Sequence, residues 1–105
     1  MVWGMKSGIE LITDERSRQV SKEGWSAEHD DEHDKGQILT AGIAYAIAAM
    51  HQRLHGKRAD MDFVRQMYWP WQASWWKPKD PIRNLVRAGA LIAAEIDRLN
   101  RAASN

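Results

Sequence analysis

The chain has 105 residues, a net charge of +1 and no cysteine, which predicts a single domain over residues 1–105 without disulfide bonds or thiolate metal sites. No apolar run reaches the roughly 20 residues that span a bilayer, and the N-terminus lacks the pattern of a signal peptide. We therefore expect a cytoplasmic protein without a membrane partner.

Charge is divided unevenly along the chain. Residues 1–56 carry 6 basic and 9 acidic side chains, whereas residues 57–105 carry 9 and 5. This division favours a dipolar surface, or subunits of a homo-oligomer that meet acidic side to basic side, over the broad basic face of a nucleic-acid-binding domain. Nucleic acid is therefore a minor candidate as a partner.

The first predicted helix runs from about Gly8 to Glu23. Ser7 and Glu10 have the spacing of a capping box, and Gly24 is a favourable stop because a residue without Cβ enters left-handed backbone at little cost. A short helical turn is expected at residues 26–29. The expected buried stripe of the first helix consists of Ile9, Leu11, Ile12 and Val20.

The second predicted helix runs from Gln37 to His55 and ends at Gly56. Its interior, residues 41–49, contains no acid or base, which is typical of a central helix with partners on more than one side. Small residues would allow close helix approach, either within one chain or in a homo-oligomer. They are Gly42, Ala46 and Ala49 on this helix and Gly89 and Ala93 on the last helix.

The last part of the chain predicts a short helix over residues 60–67, a loop broken by Pro70 and Pro78, and a long helix that Asp80 caps and Pro81 begins. The long helix is expected to reach about Ala102. Its expected buried stripe is Leu85, Val86, Gly89, Ile92, Ala93, Ile96 and Leu99. No segment has a convincing strand pattern, so the sequence predicts an all-α fold: a small bundle of three long helices plus one or two short helices, with a Trp-rich loop before the last helix.

The Trp-rich loop has two interpretations. Its aromatic rings could cap a thin core, or they could stack on the base of a nucleotide while nearby cations hold phosphate. The candidate stacking residues are Trp69, Trp71, Trp75, Trp76 and Trp25. The candidate phosphate ligands are Lys77, Lys79, Arg83 and Arg87, with Arg16 or Arg18 entering from a neighbouring subunit.

An acidic segment at residues 28–34 is a candidate metal site. If it is helical, His29 and His33 face the same way, so imidazoles and the carboxylates of Asp30 and Asp31 could converge on a divalent cation. The alternative is a solvated run of charges. No other cofactor is indicated.

Several motifs together resemble a family of small, uncharacterised bacteriophage and prophage proteins. The motifs are residues 15–19 (ERSRQ), 23–25 (EGW), 29–33 (HDDEH), 69–71 (WPW), 77–81 (KPKDP) and 85–99 (LVRAGALIAAEIDRL). The resemblance covers nearly the whole chain and implies a phage-encoded protein in the host cytoplasm. It supplies no activity.

Two other resemblances point in different directions. Gly24-Trp25, with an acidic pair after it and Arg16 and Arg18 before it, is similar to the ryanodine-receptor repeat, whose bacterial versions are suspected nucleotide-signal binders. A small helical phage protein with an acidic cluster also resembles the MazG-like nucleoside triphosphate pyrophosphohydrolases, which hold magnesium between two acidic motifs. That second resemblance implies a further acidic set at Glu95 and Asp97, although the central helix contains no acid.

The leading hypothesis from the sequence is a phage-type homo-oligomer that binds a nucleotide-like anionic small molecule and sequesters a host immune signal. One alternative is a metal-dependent nucleotide pyrophosphohydrolase. Another is an inhibitor that binds a host protein through exposed aromatic side chains. A hydrolytic triad is not expected, because no serine lies in a nucleophile-elbow pattern.

Overall fold

The computed structural model describes residues 4–104, which form five α-helices and no strand. The helices are α1 (Gly8–Ser21), α2 (Ala27–Asp31), α3 (Gln37–His55), α4 (Met61–Tyr68) and α5 (Pro81–Ser104), with 3₁₀ turns at Gly56–Arg58 and Ala73–Trp75. The predicted all-α fold, with three long and two short helices, is confirmed. Within the described residues no helix has the length and apolar character needed to cross a membrane.

Local capping determines where the helices begin and end. The Ser7 side chain accepts the N–H of Glu10, and the Glu10 carboxylate accepts the N–H of Ser7 at 2.9 Å, which completes the predicted capping box. Gly24 has φ 73°, and this left-handed residue lets Trp25 donate its N–H back to the Gln19 carbonyl at 3.1 Å. Helix α1 therefore ends at Ser21, two residues before the predicted end.

Helices α3 and α5 form the centre of the fold and approach closely at Gly42. A Cβ added to Gly42 would lie 3.3 Å from the Ala88 carbonyl oxygen, Leu91 Cβ and Ile92 Cγ1. Gly89 is covered in the same way by Ile12 of α1. The small residues were predicted to allow close helix approach either within one chain or in a homo-oligomer. Gly42 and Gly89 pack within one chain.

The buried faces of α1 and α5 differ from the prediction. In α1, Ile9 is 76% exposed and Val20 is exposed, whereas Glu15 and Gln19 are buried. In α5, Val86 is buried as expected, but four members of the predicted stripe are exposed: Leu85, Ile92, Ile96 and Leu99. The periodicity identified an apolar face correctly, but most of the large side chains on this face of α5 are exposed. The buried positions include carboxylates paired with arginine, which the stripe could not indicate.

We predict that enlarging Gly42 will destabilise the fold in proportion to side-chain size. Helix propensity favours Ala over Gly by about 1 kcal/mol, so Gly42→Ala should change the free energy of unfolding little because tighter contacts with α5 offset that gain. Gly42→Val should lose about 1–3 kcal/mol through overpacking against the α5 backbone. Urea unfolding of the three proteins measures the order, and a gain in stability for both variants would contradict the close approach.

Candidate functional site

Two adjoining cavities lie where the Trp-rich loop meets α1 and α2. The larger one, which we call the aromatic cleft, has a volume of about 650 Å³. Its lining consists of Glu23, Trp25, His29, His33, Pro70, Trp71, Gln72 and Trp75. The smaller one, which we call the basic cavity, has a volume of about 250 Å³. Its lining consists of Glu15, Arg18, Gln19, Glu23, Trp25, Tyr45, Trp75, Lys77, Lys79, Arg87 and Leu91.

The aromatic cleft is walled by rings from two parts of the chain. Trp25 and His29 stack with an angle of 4° between their planes and 5.9 Å between their centroids. His33 packs on Trp71 at 5.1 Å, and Trp25 lies 6.4 Å from Trp71. Because α2 presents His29 to the Trp-rich loop and the turn after α2 presents His33, the cleft offers flat apolar surfaces to a planar ligand.

The other two tryptophans of the loop are structural. Trp69 and Trp76 lie 5.5 and 4.7 Å from the ring of Tyr45 in the core. The Trp76 indole N–H donates to the Met61 carbonyl at 3.1 Å, and the Trp69 indole donates to the Gln72 carbonyl at 2.9 Å. Two rings of the Trp-rich loop therefore pack on the core, as the first interpretation predicted, whereas Trp71 and Trp75 line a cleft.

A buried ion-pair network forms the floor of the basic cavity. Glu15 is 1% exposed and accepts hydrogen bonds from Arg18 (2.8 and 2.9 Å), from Gln19 (3.1 Å) and from Arg83. Burial alone would raise the pKa of Glu15, but the hydrogen bond from Arg18 and the charges of Arg83 and Arg18 hold it below its ordinary value. Arg18 also donates to Glu23 at 2.8 Å. The two carboxylates of the cavity are thus already paired.

Three cations of the basic cavity remain without a carboxylate. Within residues 4–104, Lys77, Lys79 and Arg87 form no ion pair with Asp or Glu. Arg87 lies 5.6 Å from the centroid of the Tyr45 ring, and Lys77 lies 5.9 Å from that of Trp75. The cavity therefore carries positive charge that an anion could neutralise.

Buried polar side chains hold the segment 77–79 in place. The Tyr45 hydroxyl accepts the N–H of Lys77 at 3.2 Å, and burial raises the pKa of this phenol. Asn84 is fully buried and accepts the N–H of Lys79 at 2.8 Å. Tyr45, Gln19 and Glu23 were not predicted as site residues, because only the fold brings their separate parts of the sequence close to segment 77–79.

Two of the predicted phosphate ligands lie elsewhere. Arg83 pairs with Glu15 and does not line either cavity, although Arg87, one helical turn later, does. Arg16 pairs with Asp30 at 2.8 Å and also lies outside both linings. The start of α5 is capped by its own Asp80, which accepts the N–H of Arg83 at 2.9 Å. The Asp80 carboxylate therefore already occupies one of the backbone N–H donors that the helix start could have offered to an anion.

The predicted metal set is not brought together. Asp30 accepts hydrogen bonds from Arg16 and from Nδ1 of His29, and Asp31 accepts two from Arg101, at 2.8 and 3.2 Å. Among the residues that the structure describes, no three His, Asp or Glu side chains are grouped to hold a metal ion. The positive charges of Arg16 and Arg101 take the place beside Asp30 and Asp31 that a metal ion was predicted to have.

The second acidic set expected from the pyrophosphohydrolase resemblance is not free either. Glu95 is buried and pairs with Arg98 at 2.5 Å, and Asp97 is exposed on the surface of α5.

Comparison with protein-family models, curated proteins and solved structures finds no match for this chain.

Proposed function

We propose that the protein binds a nucleotide-like anionic small molecule across both cavities. Its base would stack on the rings that line the aromatic cleft, which are those of Trp25, Trp71 and Trp75. Its phosphate would contact Lys77, Lys79 and Arg87 in the basic cavity. The observation that carries the proposal is that the two cavities share the wall formed by Trp25, Trp75 and Glu23, so that one ligand can occupy both.

Size and chemistry support this assignment. Small-molecule sites are commonly clefts of about 300–1,000 Å³ with mostly apolar walls and a few polar groups. Gln19 Oε1 is buried and has no hydrogen-bond partner within residues 4–104, and the same holds for Nε of Arg87. A hydroxyl between base and phosphate would provide a donor for the first of these atoms, and a phosphate oxygen would provide an acceptor for the second.

The same residues favour binding over turnover in this proposal, because stacking and charge hold a ligand without activating a nucleophile. Sequestering a nucleotide signal requires nothing more than that. A phage protein that removes a host immune signal would use such a site, and we therefore include cyclic nucleotides among the ligands to be tested.

Isothermal titration with mono-, di- and cyclic nucleotides, their nucleosides and inorganic phosphate tests the proposal. Stacking of a base on an aromatic ring contributes about 1–3 kcal/mol, so Trp71→Ala should weaken nucleotide binding by roughly 5- to 150-fold. Lys79→Ala should weaken nucleotides but not nucleosides, and added salt should reduce that difference.

Two matched variants serve as controls. Phe63 is an exposed aromatic residue and Lys57 an exposed cation, and both lie outside the cavity linings. Phe63→Ala and Lys57→Ala should therefore bind like the original protein. The proposal is wrong if no nucleotide produces heat, or if nucleosides bind as tightly as their nucleotides. Release of phosphate from the ligand would favour the hydrolase alternative instead.

A further inference from the structure

Helix α5 carries an apolar stripe that the other described residues leave exposed, except at Gly89, which Ile12 of α1 covers. The side chains of Ile82, Leu85, Ile92, Ile96 and Leu99 are between 38% and 65% exposed. Together with Gly89 they recur at alternating steps of three and four residues, which is the spacing of core positions in helices that pack side by side. No charged residue interrupts this stripe.

Helix α3 carries a second exposed stripe beside the first. Leu39, Ile43, Met50 and Leu54 are between 40% and 69% exposed and recur at steps of four and seven residues, so they share one side of the helix. The contact of Gly42 with Ile92 joins the two helices along this side. The α5 and α3 stripes together form one open surface, which we call the apolar face.

The small size of the buried side chains makes the exposure of the large ones on the apolar face more significant. Seven of the 12 buried hydrophobic residues in the described part of the chain are alanine, whereas nine of the larger non-aromatic apolar side chains of α3 and α5 are exposed and only Ile38, Val86 and Leu91 are among the buried ones. This is the reverse of the usual distribution, in which Ile and Leu are among the most buried residues. The total accessible surface is 7095 Å², compared with about 6,000 Å² for a compact monomer of this mass.

We propose that the apolar face binds the same face of a second copy of this chain. A two-fold dimer requires a surface that complements itself, and two pairs of α3 and α5 would pack as a four-helix bundle around a shared core. The surplus of roughly 1,000 Å² belongs to the whole chain, and the nine large side chains of the apolar face, each 38–69% exposed, supply apolar surface of the kind that an interface of standard size, about 800 Å² on each partner, would bury. None of the stripe residues lines either cavity, so this proposal does not depend on the proposed function.

Sedimentation and light scattering of the full chain over a concentration series test the proposal. We expect a dimer at micromolar concentration and a melting temperature that rises with protein concentration, as mass action requires when association stabilises the fold. Leu85→Glu/Ile96→Glu should be monomeric, because two buried charges on each copy would oppose the contact. Phe63→Glu/Met67→Glu, which places the same charges on exposed apolar residues of α4, should remain a dimer.

A milder variant keeps the test decisive if the glutamate variant does not fold. Leu85→Ala/Ile96→Ala retains strong helix formers and should raise the dissociation constant at least tenfold. A monomer throughout the concentration series would overturn the proposal. A dimer whose dissociation constant is unchanged in the alanine variant would also overturn it, because the contact would then lie elsewhere.

Discussion

Glu15→Ala is expected to be the most destabilising single change in the site, with a loss of about 3–5 kcal/mol in the free energy of unfolding. The Glu15 carboxylate is almost completely buried and compensates the charges of Arg18 and Arg83. Its removal leaves two guanidinium groups and the Gln19 amide without their common acceptor. Because small domains are stable by only about 5–15 kcal/mol, urea unfolding should show a midpoint shifted far toward low denaturant.

The same network predicts how stability depends on pH. The pKa of Glu15 in the folded protein lies below its ordinary value of 4.5, so the folded state favours the ionised form. The stabilisation is fully present above about pH 4.5 and is lost as the pH falls through the lower folded-state pKa. A urea titration repeated between neutral and acidic pH should therefore show a loss of stability on the acidic side.

Two variants separate this network from general effects of mutation. Glu15→Gln keeps the size of the side chain but cannot ionise, so it should be less stable at neutral pH and should lack the part of the acid-induced loss that Glu15 causes. Glu32 is exposed and forms no ion pair within the described residues. Glu32→Ala should consequently stay within about 0.5 kcal/mol of the original protein. An equal loss in Glu15→Ala and Glu32→Ala would contradict the buried network.

The sequence predicted the helices well because their ends depend on local chemistry. The capping box at Ser7, the stop at Gly56 and the cap at Asp80 act through neighbouring backbone groups, and all three stand where they were expected. The choice of buried face is not local. The residue spacing of an apolar stripe such as that of α5 is the same whether the stripe packs within the chain or faces outward. In the structure its large side chains face outward.

For the cavity residues too, the sequence alone could not determine which of two similar side chains lines the cavity. Arg83 and Arg87 lie one turn apart and carry the same charge, so the sequence assigned them the same role. The structure separates them, because Glu15 of α1 stands opposite Arg83 whereas Arg87 reaches Tyr45 and the Lys77 carbonyl. Such a distinction depends on how α1 packs on α5, and no spacing within one helix contains that information.

Asn84→Ala is the second change expected to have a large effect, with a loss of about 2–4 kcal/mol because buried hydrogen-bonding groups would lose their partners. The Asn84 side chain accepts the N–H of Lys79 at 2.8 Å and donates to both the Lys79 carbonyl and the Gln52 side chain at 2.9 Å. Asn84, a residue of α5, therefore holds segment 77–79 in place against both α5 and α3. Asn100→Ala, at an exposed position of the same helix, should change stability by less than about 0.5 kcal/mol.

Asn84 also provides a way to separate stability from ligand binding. It lines neither cavity, so it can affect nucleotide affinity only by positioning Lys77 and Lys79. Asn84→Asp keeps an acceptor for the Lys79 N–H but turns a second acceptor toward the Lys79 carbonyl and the Gln52 oxygen, which should displace segment 77–79, and its negative charge beside Lys79 should also oppose a phosphate. We expect titration of folded Asn84→Asp to show nucleotide affinity reduced about tenfold, or about 1.4 kcal/mol, with nucleoside binding unchanged. Unchanged affinity for nucleotides and for nucleosides would mean that segment 77–79 adopts its ligand-binding geometry without Asn84. This residue would then contribute to folding alone.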